Sequence, residues 1–176
     1  ERADALQGTN MAAPRLEFRK VTRCFNAKGR GGGVFEPVIA VADVSLAIGD
    51  GEVVSLIGPS GCGNSTLLTM AAGLDHPNSG EVFVDGHRVE GPNRQVAFML
   101  QKDLLLPWRS VLDNVTLGLE VRGTPPGEAR DRAMALIRRY GLAGFESARP
   151  RALSGGMRQR VAFMRTLALD PKAILL

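Results

Sequence analysis

One run constrains this chain more than anything else in it: Gly58-Pro59-Ser60-Gly61-Cys62-Gly63-Asn64-Ser65-Thr66. It follows Glu52 to Ile57, a short apolar stretch that reads as a strand buried on both faces. It opens Ser65 to Ala72, which has helical composition and a stop signal at Gly73. Strand, glycine-rich loop and helix in that order build a cradle for phosphate. The glycines let backbone N–H groups turn inward around an anion, and the helix start adds the positive end of its dipole. The run fits G-x-x-x-x-G-K-[ST], except that Asn64 stands where the pattern has lysine. The Ser65 hydroxyl suits a Mg²⁺ ion and Thr66 a phosphate oxygen. The competing reading, a glycine-rich turn before a helix, does not account for the context on both sides.

Asn64 is neutral and shorter than the lysine that would reach the β- and γ-phosphates. Losing a charged hydrogen bond costs roughly 1.5–3 kcal/mol, about 10- to 150-fold in affinity. In a transition state where charge spreads, the cost is larger. The cradle is therefore expected to survive, with tight binding and turnover both weakened.

The rest of the chain reads as alternating elements. Leu16 to Val21 suggests a first strand and Gly29 to Gly33 a loop. Val38 to Ile48 suggests one or two more strands. Gly49-Asp50-Gly51 and Asp75 to Gly80 carry turn chemistry. Glu81 to Asp85 and Gln95 to Leu100 look strand-like. Helices are expected over Ser110 to Leu119, Glu128 to Tyr140 and Ser154 to Leu169. In the second, Ala129, Ala133, Leu136, Ile137 and Tyr140 share a face, and Glu128 and Arg132 are spaced to pair. In the third, Met157, Val161, Met164 and Ala168 form a core stripe. Ala173 to Leu176 begins a buried strand. Such alternation suggests an α/β core with a parallel sheet.

Composition removes other classes. With 44% hydrophobic and 23% charged residues over 176, whole-chain disorder is excluded. Glycine is frequent, 21 of 176, against a typical ~7%. The two cysteines, Cys24 and Cys62, give no disulfide framework, and with His76 and His87 they are too scattered for zinc. Cys62 has no partner base and reads as a small filler, and both histidines read as surface residues. No apolar run approaches the ~20 residues of a membrane span. Residues 1–13 lack a signal-peptide core, so the chain reads as cytosolic. The net charge of +4 is a solvated surface rather than a nucleic-acid footprint, which would need a basic, aromatic-rich patch. Aromatics are only 5%, and Arg149, Arg151, Arg158, Arg160 and Arg165 look spread around a helix. A dinucleotide-binding reading fails because Gly49-Asp50-Gly51 precedes its strand and lacks the third glycine.

A second glycine motif, Leu153-Ser154-Gly155-Gly156-Met157-Arg158-Gln159-Arg160, opens the last long helix. Ser154 is a good N-cap, and the two glycines leave the helix start bare for an anion. Alone, the run is equally a capped helix with small residues for packing. Together, the loop Gly58–Thr66, Gln101 and this second run resemble the nucleotide-binding subunit of ATP-binding cassette (ABC) transporters over roughly residues 15–176. The family's signature is usually LSGGQ, and here Met157 takes the last place. The LSGGMRQR form, and Leu105-Leu106-Pro107-Trp108 after Gln101, resemble the nitrate/sulfonate/taurine import branch.

The resemblance implies an α/β fold, a P-loop NTPase of the ABC type. It would have a mixed sheet core, an antiparallel β subdomain and a helical subdomain insert over residues 102–150, after a disordered leader over 1–14. Met11 is a candidate start within that leader. ATP and Mg²⁺ are the implied cofactors. Phe25 matches the aromatic that stacks on adenine, although an ordinary core phenylalanine would look the same. Gln101 matches the glutamine that contacts Mg²⁺ and the attacking water. Ser154, Gly155 and Gly156 match the loop that closes on the nucleotide of a second, head-to-tail subunit. The subunit would sit on the cytoplasmic face of the membrane. There it would serve a separate permease, contacted at Trp108 or with Trp108 simply packed, and a solute-binding protein. The family pattern also requires an Asp and a Glu after the strand begun at Ala173, and a later histidine. None is present, so the resemblance implies a C-terminally truncated copy that offers no catalytic residue of its own. An incomplete sheet of that kind predicts exposed edges and aggregation. Two functions follow: an ATPase subunit driving import of a small anion, or a degenerate module that binds nucleotide without turnover.

Overall fold

The computed structural model describes residues 13–25 and 37–176. The expected Gly29–Gly33 loop, Met11 and all but the last two residues of the expected leader lie outside the described residues. The chain divides into two compact units, Glu1–Asn93 and Arg94–Leu176.

The first unit is built on an antiparallel sheet in the order β2-β1-β3-β4, with β1 at Leu16–Phe25, β2 at Val38–Ile48, β3 at Ser79–Val84 and β4 at His87–Arg88. Leu16 and Phe18 point inward with the period of two that a strand imposes. The phase then slips, and Val21 is the next buried residue. Lys20 (φ 50°) takes up the extra residue on β1, and Asp43 (φ 47°) lies in the compensating irregularity on β2. Hydroxyls hold both displaced amides: Lys20 N–H donates to Ser45 Oγ and Asp43 N–H to Thr22 Oγ1, each at 3.0 Å. β3 and β4 are joined by Asp85-Gly86, both at positive φ (50° and 74°), as a two-residue hairpin turn of type I′ demands.

Helix α1 (Asn64–Ala71) buries Leu67, Met70 and Ala71. It stops where expected. Gly73 has φ 72°, its N–H donates to Met70 O at 3.0 Å, and Leu74 N–H donates to Thr69 O at 2.9 Å. That pair of bonds closes the last turn in a Schellman motif.

The strand expected over Glu52–Ile57 is not formed. The segment has no regular secondary structure, and among the described residues no strand pairs with it. Val53 is 92% exposed and Ile57 94%. An apolar run becomes a strand only when neighbours take up its N–H and C=O groups, and the four strands of this unit pair with one another.

The second unit pairs β5 (Val96–Phe98) in parallel with β6 (Ala173–Leu175) and packs three helices: α2 (Val111–Val121), α3 (Pro126–Arg139) and α4 (Gly155–Leu167). β6 is less buried than its sequence suggests, since Ile174 is half-exposed. The helical faces are as expected: Ala129, Ala133 and Ile137 from α3 meet Val161 and Met164 from α4 and Val111, Val115 and Leu119 from α2 in one core. Arg132 does not pair with Glu128 as its spacing suggested; it reaches Asp170 at 3.7 Å. No helix among the described residues is long and apolar enough to cross a membrane.

One polar side chain is wholly buried in that core. Asn114 accepts from Leu106 N–H at 2.8 Å and donates to Ser110 O at 2.9 Å, Leu106 O at 3.2 Å and Arg109 O at 3.3 Å. It cages the turn from Leu106 to Ser110 and so presents Trp108, which is 66% exposed. Ser110 then caps α2 in a reciprocal box with Asp113. Replacing Asn114 with Ala strands the part-buried Leu106 N–H and removes a donor from three carbonyls. The expected loss is about 1–3 kcal/mol in denaturant unfolding at unchanged m. Trp108 is the only tryptophan in the chain, so a fall in its fluorescence anisotropy reads the loosened turn directly.

Candidate functional site

The loop Gly58–Gly63 joins residues 52–57 to α1 within the first unit. Two of its glycines are required by geometry. Gly63, at φ 93°, is the N-cap of α1, and a methyl there would lie 2.2 Å from the Ala40 carbonyl of β2. No side chain is tolerated at that approach. Gly61, at φ 86°, has nothing within 4 Å of its missing Cβ. It needs glycine for its backbone conformation and leaves the loop open on that side. Gly58 is covered by the Cys62 side chain, whose Sγ lies 2.6 Å from where a Gly58 Cβ would be. The Cys62 N–H closes a turn on Pro59 O at 3.1 Å.

α1 has no side-chain cap. Ser60 and Ser65 are exposed, with Thr66 half-buried one residue further on. An uncapped helix start beside an open glycine loop suits an anion. The residues present fit a phosphate group, and Ser65 supplies one exposed hydroxyl for a cation. Asn64 behaves differently from the lysine of the pattern. Its Nδ2 donates to Leu56 O at 3.1 Å, across the entrance of the loop.

Phe25 ends β1 in the same unit. It is 42% exposed, so it is not a core phenylalanine, and the Arg23 guanidinium lies 4.6 Å from its ring centre. Arg23 in turn holds Asp75 at 2.8 Å. His76 and His87 are exposed, as expected, and so is Cys62. No group of three or more His, Cys, Asp or Glu side chains that could hold a metal occurs among the described residues.

The second glycine motif and Gln101 lie in the second unit. Ser154 caps α4, its Oγ accepting from Met157 N–H at 3.3 Å. Gly155 and Gly156 are exposed, and nothing lies within 4 Å of a Cβ at Gly156. Helix α4 also grips the segment after β5. Gln159 Nε2 donates to Gln101 O at 3.3 Å, and Arg158 Nε donates to Asp103 Oδ2 at 3.1 Å. Arg165 donates to Asp103 O at 2.7 Å and Leu104 O at 2.9 Å. Leu104 sits at φ 44°, a left-handed conformation that costs a leucine energy and that these bonds hold in place. Burial pushes the Arg165 guanidinium below its ordinary value, with Asp103 opposing. The arginines that look spread around a helix in the sequence therefore include two, Arg158 and Arg165, that work on one face. Their i, i+7 spacing was the available signal. Gln101 itself is exposed, in a cleft of about 410 Å³ lined by Met99, Leu100 and Phe163.

Comparison with known proteins identifies the family. The ABC transporter family pattern matches residues 41–176. An ABC transporter ATP-binding protein of Methanocaldococcus jannaschii, MJ0412, is 41% identical over 176 residues, which is all of this chain and 64% of that protein. The taurine import ATP-binding protein TauB of Yersinia pestis is 45% identical over 137 residues, 78% of this chain and 54% of the relative. The chain thus spans somewhat over half the length of these curated relatives. The ATP-binding cassette MJ0796, solved as a dimer bound to ADP and Pi, superposes with a TM-score of 0.77 at 33% identity over 90% of this chain and 72% of that one. With an α/β architecture of the ABC type, a glycine loop opening α1 and a capped glycine pair opening α4, this chain belongs to the ABC transporter family.

Proposed function

We propose that this chain forms the nucleotide-binding part of an ABC importer subunit, one that couples ATP binding to uptake of a small anion such as a sulfonate, taurine or nitrate. The observation that carries the reading is Gly63. Its backbone lies so close to the Ala40 carbonyl that a methyl there would be 2.2 Å away, which sets the loop and helix start directly against the sheet. Gly58 to Thr66 would hold the phosphates of ATP, with Ser65 and Gln101 toward Mg²⁺ and Phe25 toward the base. Bound Mg²⁺ would supply charge neutralisation between phosphate oxygens. Ser154, Gly155 and Gly156 would face the nucleotide of a second, head-to-tail subunit. The taurine import relatives support the anion class.

Residues 102–150 would be the helical subdomain that docks on a permease at the cytoplasmic face of the membrane, with a solute-binding protein beyond it. Exposed Trp108, held out by Asn114, suits such a contact. Asn64 favours a second reading, a subunit that binds nucleotide without efficient turnover, because its side chain carries no charge to the phosphates.

Titrating the protein that carries this chain with MgATP tests the cradle. Gly63→Ala is expected to abolish measurable binding and to cost about 1–3 kcal/mol of stability through strain; unchanged affinity would remove the loop from the site. Asn64→Lys is expected to raise the Mg²⁺-dependent ATPase rate by at least about 10-fold, the lower worth of one charged hydrogen bond. Equal rates with and without that substitution would show that position 64 does not limit turnover. Loss of taurine or sulfonate uptake on deleting the gene tests the importer assignment.

A further inference from the structure

We infer that Asn64 makes this loop a diphosphate site, one that takes nucleoside diphosphate and triphosphate with nearly equal affinity. The inference rests on the nucleotide-binding reading above and concerns which nucleotide that site selects.

Three observations carry it. The Asn64 amide is committed to the protein itself: Nδ2 donates to Leu56 O at 3.1 Å, tying the first residue of α1 to the chain before the loop. Asn64 cannot be brought nearer a third phosphate by moving the helix. Gly63 already touches the Ala40 carbonyl, where a Cβ would lie at 2.2 Å, and Met70 and Ala71 anchor α1 in the core. Among the described residues of this unit, every arginine is already held by a carboxylate. Arg15 holds Asp50 and Asp85, Arg19 holds Glu17, Arg23 holds Asp75 and Arg88 holds Glu81.

What remains is the backbone cradle. Gly-rich loops of this type surround the α- and β-phosphates with N–H groups, while the lysine reaches the β- and γ-phosphates. A cradle without its lysine keeps the backbone groups that ADP and ATP share, loses the lysine's hold on the β-phosphate of both, and lacks the charge that reads the phosphate only ATP has. Preference between the two should therefore collapse.

The test is calorimetric titration of the protein that carries this chain with MgADP and with MgATP, alongside Asn64→Lys and Asn64→Ala. The expected result is dissociation constants within about threefold of each other for the native protein. Asn64→Lys should shift the ratio toward MgATP by about tenfold or more, the lower worth of a charged hydrogen bond. Asn64→Ala should move both affinities by the same factor, since the amide touches only Leu56. A native preference for MgATP of tenfold or more overturns the inference. So does a loss confined to MgATP in Asn64→Ala, which would place the Asn64 amide on the third phosphate. If neither nucleotide binds the native protein or either variant, the nucleotide-binding reading itself fails, a result distinct from strong binding with a retained preference.

Discussion

The contact between the Gly63 backbone and the Ala40 carbonyl organises the first unit. A helix start and a strand approach so closely that a single methyl would force them apart. The consequence is positional. It sets where α1 begins, and so where the N–H groups at its start point. It also sets how far a side chain at position 64 can reach. Burial of Leu67, Met70 and Ala71 holds the helix from the other end, and the Schellman turn at Gly73 finishes it against Gly91, whose carbonyl would be 1.9 Å from a Cβ at Gly73. Glycine thus marks both ends of α1 for the same reason: backbone packs on backbone where a side chain has no room.

The second unit uses polar side chains where the first uses glycine. Asn114 holds the turn before α2, and Arg158, Gln159 and Arg165 hold the segment after β5. These groups fix loops to helices, and they place Gln101 and the glycine pair of α4 on one connected frame. The left-handed Leu104 is the strained point of that frame.

Local chemistry is legible in the sequence, and partnership is not. Glycine-rich loop, helix start and the stop at Gly73 are readable because each depends on a few adjacent residues. So are the Ser154 cap and the stripe of Val161 and Met164. Glu52–Ile57 misleads because composition reports what a segment prefers and not whether a neighbour exists to pair with it. The irregularity at Lys20 is invisible, since lysine does not announce a positive φ; Asp43 tolerates one, but nothing in the sequence pairs it with Lys20. Asn114 can be found: it sits among Val111, Val115 and Leu119 on an otherwise apolar face, where an amide must have local partners. The fate of the Asn64 amide cannot, because Leu56 belongs to the segment whose conformation the composition hides.

Three helix starts in this chain are finished differently. α2 and α4 satisfy themselves through Ser110 and Ser154, whereas α1 begins at a glycine that offers no acceptor. A glycine cap leaves a helix weaker than a serine or asparagine cap by roughly a few tenths of a kcal/mol. α1 therefore carries a standing deficit at the one place where the surrounding loop is open. An anion resting there would supply the absent acceptor, and the gain would be felt along α1 into the Met70 and Ala71 core. The melting behaviour of the first unit would thereby be tied to occupancy of its loop, while α2 and α4 of the second unit, capped from within, have no such dependence built into their starts.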